Sequence, residues 1–102
     1  MIKVDIVYSD KKFVSLLIKG HANTGDYGKD LVCAGVSAVS IGALNALEDS
    51  DKFEIKVEQG LVSLIAKEAI NEHDLTVIEV MILQLKTIAM AYPNAINIKE
   101  RK

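Results

Sequence analysis

From Leu31 to Leu47 the chain runs 17 residues without a charge. Such a segment has to be covered, and the manner of covering limits the fold more than any other feature. It is short for a bilayer span, which needs about 20 apolar residues, and Gly35, Ser37, Ser40, Gly42 and Asn45 dilute it. It therefore reads as a helix buried in a protein core, not as a membrane segment. Val32, Val36, Val39, Ala43 and Ala46 recur at helical spacing, and Ile41, Leu44 and Leu47 widen the stripe. Asp30 is a good N-cap, which predicts Leu31, Val32 and Cys33 as the first three helical residues. Gly35 and Gly42 each cost about 1 kcal/mol of helix propensity relative to alanine, so they are read as points of close packing.

The cover for this helix comes from strands on both sides of it. Ile2, Val4, Ile6 and Tyr8 alternate with mostly polar residues, the period of a half-buried strand. Ser9 to Lys12 is a turn by composition, and Phe13 to Lys19 returns as a partner strand ended by Gly20. After the acidic connection from Glu48 to Asp51, Phe53, Ile55 and Val57 alternate with Glu54, Lys56 and Glu58. Gln59-Gly60 turns that strand into its hairpin partner, Leu61 to Lys67. A second helix starts between Asn71 and Asp74, either of which can cap it, and Leu75, Ile78, Ile82, Leu85, Ala89 and Tyr92 mark its core face. Pro93-Asn94 stops it, and Ile96 and Ile98 begin a last short strand. The order strand, strand, helix, strand, strand, helix, strand predicts an α+β fold, a two-layer α/β sandwich with a mixed or antiparallel sheet and two helices. The 102 residues suffice for one domain, 1–102, and not for two. Met81, Ile88 and Met90 leave more apolar surface on the second helix than one face needs. Either they pack under the sheet or the chain forms a homodimer.

Charge excludes some functions. A net charge of −2 gives no electrostatic footprint for direct nucleic-acid binding. A single cysteine makes no internal disulfide, which fits a reducing cytoplasm and leaves a thiol to explain. The start, Met1 to Asp5, lacks the apolar core and cleavage site of a signal peptide.

Chemistry concentrates between the second strand and the first helix. His21 follows the strand and Cys33 opens the helix, so the two stand at the mouths of one polar loop, Ala22 to Lys29. A thiol in a first helical turn faces unpaired N–H groups and the positive end of the dipole, which favour thiolate. With an imidazole nearby, those are the parts of a cysteine nucleophile, a proton carrier and an oxyanion site. Asp30 is placed to cap the helix, to orient His21, or both, and Ser37 lies one turn beyond Cys33 on the same face. Gly25 and Gly28 widen the loop's backbone freedom and Tyr27 is its one large apolar anchor, which predicts a gate that orders over a substrate peptide. The bland alternative stays open on these residues alone, since a single cysteine in an apolar helix is usually a small buried hydrophobe. Zinc is not indicated, because one cysteine and two histidines, with His73 at the other helix, lack ligand spacing. The glycines also lack the Gly-Lys-Ser/Thr ending of a phosphate-binding loop.

Gly20-His21-Ala22, followed by Gly28-x-Asp30-x-Val32-Cys33-Ala34-x-x-Ser37, resembles the signature of the ribosomal-processing cysteine proteases, the Prp family. The length, the strand–helix order and the leading hairpin match as well. The resemblance implies Cys33 as nucleophile, His21 as general base and acid, and Asp30 and Ser37 as supporting residues, with no cofactor and no metal. It implies a cytoplasmic homodimer that removes the N-terminal extension from the precursor of a large-subunit ribosomal protein, at an aromatic-rich junction suited to Tyr27. The rival expectation is a non-enzymatic ribosome-associated binding module with a structural cysteine.

Overall fold

The computed structural model describes residues 1–21 and 27–102, the side chains of 27–30 excepted. Strand β1 (Ile2–Ser9) pairs with β2 (Lys12–Lys19) as an antiparallel hairpin. Asp10 and Lys11, at its tip, have φ of 52° and 66°, the pair of left-handed residues that a two-residue hairpin turn asks for. There follow α1 (Tyr27–Ala46), a single 3₁₀ turn (Ser50–Lys52), β3 (Phe53–Glu58), β4 (Leu61–Ala66), α2 (Glu72–Ala91) and β5 (Ile96–Arg101). The strand order in the sheet is β3-β4-β2-β1-β5. Every neighbouring pair is antiparallel except β1 and β5, which run parallel from Ile2↔Ile96 to Val7↔Arg101. The sheet is mixed and the class is α+β, as the residue pattern predicts.

The period-two alternation sends one set of strand side chains to the helices. Ile2, Val4, Ile6, Leu16, Ile18, Val62 and Leu64 are buried, together with Val32 and Val36 of α1 and Ile78, Met81, Ile82 and Leu85 of α2. On the other sheet face Lys3, Ile65 and Lys99 are exposed, so both helices form one layer. Cover runs out at the β3 edge. Ile55 and Val57 share the core-side face with their partners Leu64 and Val62, yet they are 37% and 47% exposed. Only Phe53, at the start of β3, is buried.

Five expectations change. The uncharged helix is covered on one side and not buried all round, with Leu31 62% and Ile41 38% exposed. Gly42 is not a point of close packing, since a Cβ there would meet nothing within 4 Å. Helix α1 begins at Tyr27, not after Asp30, so Gly28 and Asp30 are helical and Asp30 is not the N-cap. An acidic residue suits the first turn of a helix as well as its cap, which is why composition misplaces the start. Met81 is 1% exposed and belongs to the core, not to a surplus surface. Tyr92 is the C-cap of α2 and 40% exposed, not part of its core face.

Candidate active site

Two glycines fix where β2 delivers His21. Gly20 has φ of +98°, and a Cβ there would lie 2.7 Å from the Met1 carbonyl oxygen, so the strand turns at that point only with glycine. Its N–H donates to the Gly60 carbonyl at 3.0 Å, tying the end of β2 to the β3–β4 turn. Gly60 has φ of +74°, and a Cβ built on it would lie 2.6 Å from His21 Nε2 and 2.8 Å from Cε1. The imidazole thus rests against the α-carbon side of Gly60.

Cys33 comes from the opposite wall. With α1 starting at Tyr27, Cys33 is the seventh helical residue, half-buried and packed against the core. The expectation that the thiol sits in the first turn is therefore corrected, because the unpaired N–H groups belong to the first four residues. Ser37 is one turn further on and exposed. Ser40, one more turn on the inner side, is fully buried, and its Oγ donates to the Val36 carbonyl at 2.8 Å.

His21, Cys33 and Ser37 line one cavity of about 520 Å³ between α1 and the β3–β4 hairpin. Val36, Ile41, Val57 and Val62 supply apolar walls, and the partly exposed Ile41 (38%) and Val57 (47%) leave it open toward solvent. A thiol, an imidazole and an apolar cleft of this size suit covalent catalysis on an extended peptide. Of the loop 22–29 expected to act as a gate, residues 27–29, Gly28 among them, belong to α1, while 22–26 with Gly25, and the side chains of Tyr27 and Asp30, lie outside the described residues. The β3–β4 hairpin as a wall of the site is what the sequence reading lacks. Gly60 is distant from His21 along the chain and reads locally as an ordinary turn glycine. The one available signal is the apolar core-side face of an edge strand, Ile55 and Val57.

The second histidine is engaged elsewhere. Asp74, fully buried, accepts the N–H groups of Glu48 at 2.8 Å and Asp49 at 3.0 Å, and faces His73 Nδ1 at 2.9 Å. Burial pushes the Asp74 carboxyl up, but those donors outweigh it and hold it below the usual carboxylate range. The bond to Asp74 raises His73.

Comparison with known proteins is consistent along the chain. The family model of the cysteine protease Prp matches residues 1–97. A ribosomal processing cysteine protease Prp of Mycoplasma genitalium is 39% identical over 102 residues, covering 98% of this chain and 96% of the relative. Its counterpart in Staphylococcus aureus is 34% identical over 97 residues, covering 90% and 92%. The crystal structure of the S. aureus protease in complex with a covalently linked product peptide superimposes with a TM-score of 0.88 at 32% identity, covering 99% of this chain and 100% of that one. The same protease in complex with a substrate peptide gives 0.88 at 30% identity, with the same coverage.

Proposed function

The chain belongs to the Prp family of cysteine proteases, and on that premise we propose that Cys33 is its nucleophile and His21 its general base and acid. The observation that carries this reading is that both side chains line a single open cavity with apolar walls. The Cys33 thiol gives its proton to His21 as the sulfur attacks the scissile carbonyl carbon, and the carbonyl oxygen takes the negative charge of a tetrahedral intermediate. His21 passes a proton to the leaving amine, the C–N bond breaks, and a thioester joins the upstream peptide to Cys33. Water, losing a proton to His21, then attacks the thioester, releasing a carboxylate and restoring the thiol. This route passes through a covalent enzyme–peptide species and needs no cofactor or metal. The S. aureus relative has been solved with a covalently linked product peptide.

Ser37 and Asp30 act as supporting residues in this scheme, Ser37 from the cavity rim. The substrate is the precursor of a large-subunit ribosomal protein, cut to remove its N-terminal extension in the cytoplasm, by a homodimer of this single-domain chain. The relatives' role as ribosomal processing proteases supports the substrate class. Among the described residues no helix is long and apolar enough to cross a membrane. The test is turnover of a quenched-fluorescence peptide that spans the extension junction of the precursor. Cys33→Ala and His21→Ala are expected to lose roughly 10³-fold or more in kcat while keeping their circular dichroism. Undiminished turnover by either folded variant removes that residue from its role.

A further inference from the structure

We propose that Gly60 is a positioning residue for the His21 imidazole: the absence of a side chain on the β3–β4 turn sets where that ring stands in the cavity. The inference rests on the reading of His21 as the proton carrier and deepens it.

Two demands on Gly60 are separable. Its φ of +74° calls for glycine, or for asparagine, which tolerates the left-handed region. The second demand is space. A Cβ would fall 2.6 Å, 2.8 Å and 3.5 Å from Nε2, Cε1 and Cδ2 of His21, and those three ring atoms are its nearest neighbours. Asparagine satisfies the first demand and violates the second.

What yields to such a Cβ decides its consequence. At Gly20 the obstacle is the Met1 carbonyl oxygen at 2.7 Å, which is backbone, so a substituent there strains the fold. At Gly60 the obstacle is an exposed imidazole on two rotatable bonds, which swings aside at little cost to the fold. A swing that carries Nε2 about 1 Å costs little stability but about 100-fold in rate, because proton transfer depends on placement. The turn itself is held by the Gly20 N–H to Gly60 carbonyl bond at 3.0 Å, so it acts as a fixed stop beside the strand end that carries the ring. Gly60, His21 and Cys33 line the same cavity, which puts this stop at the site and not at a remote turn.

The test uses the full chain with Gly60→Ala, Gly60→Asn and His21→Ala. Kinetics are read on the junction peptide and the two histidine Cε1–H resonances by proton NMR. His73, in the first turn of α2 and outside that cavity, serves as the internal reference. Gly60→Ala and Gly60→Asn are both expected to lose roughly 10- to 100-fold in kcat with KM within about threefold of wild type. In both, the His21 resonance moves and that of His73 does not. Wild-type kcat in Gly60→Asn, or an unmoved His21 resonance in it, overturns the inference and leaves Gly60 a turn glycine. Unfolding of Gly60→Asn overturns it as well, since its backbone is tolerated and a swung ring leaves the fold standing. Should Gly60→Ala alone unfold, Gly60→Asn decides. Wild-type turnover by His21→Ala removes the underlying catalytic reading. An inactive His21→Ala beside a wild-type Gly60→Asn removes this inference only.

Discussion

At the scale of single residues, Asp74 shows how little of a buried polar side chain's work is written near it in sequence. Its pattern with Asn71 offers two helix caps, and the sequence reading leaves both open. In the folded chain Asn71 is the cap, and Asp74 reaches back to the N–H groups of Glu48 and Asp49, where α1 has just ended. Those partners are 26 and 25 residues away, and no local rule names them. Its carboxyl is held below its unfolded value, so its contribution to stability is present above about pH 4 and is lost as pH falls through the folded value. His73 has the opposite sign. Raised by Asp74, its contribution is present below about pH 6.5 and fades as pH rises through the folded value. Urea unfolding at neutral pH is expected to show Asp74→Ala less stable by about 2 to 4 kcal/mol, since two N–H groups lose their acceptor. The acid branch of the stability curve is expected to flatten in that variant. An unchanged acid branch would mean that other carboxylates carry it.

Among the elements, what repeats was legible and what begins or ends was less so. The alternation at Ile2–Tyr8 and the helical stripes through Val32–Val36 and Ile78–Leu85 follow directly from which face must meet the core, while the alternation at Phe53–Glu58 marks a core-side face that is covered only at Phe53. The start of α1 did not, because Asp30 suits a first turn as well as a cap. Nor was the parallel pairing of β5 with β1 legible, since a neighbour reached across α2 leaves no mark in either strand. The Asn71 side chain illustrates what an end is worth. Its oxygen accepts the Asp74 N–H at 2.7 Å, and its amide donates to Asp49 Oδ2 at 2.8 Å. Asn71→Ala is expected to cost about 1 kcal/mol, a fall in Tm of about 4 to 8 °C for a domain of this size. A Tm within a degree of wild type would show that water replaces the cap in full.

On the scale of the whole molecule, the site is a junction that no single segment contains. The strand end with His21, the helix with Cys33 and the hairpin with Gly60 meet only because β4 lies beside β2 in the sheet. The first two are legible in one short stretch, Gly20 to Ser37, whereas the third leaves only the indirect mark of Ile55 and Val57, apolar residues on the core-side face of an edge strand. The proposed homodimer belongs to this scale too. Met81 is core, but Val80, Leu83 and Met90 of α2 are 46%, 62% and 85% exposed, an apolar stripe that a second copy would cover. Light scattering at micromolar concentration is expected to give twice the mass of one chain, and Leu83→Asp to lower it. A single-chain mass for the unaltered protein would rule the homodimer out. The proposed cleavage, by Cys33 and His21 together, frees the extension from a ribosomal protein precursor. Its most direct measurement is the intact mass of that purified precursor after incubation with the wild-type chain, with Cys33→Ala and with His21→Ala. Cleavage by this pair gives two masses summing to the precursor plus one water with the wild type, and the uncut precursor with both variants. An uncut precursor with the wild type, or the same two products with either folded variant, would contradict it.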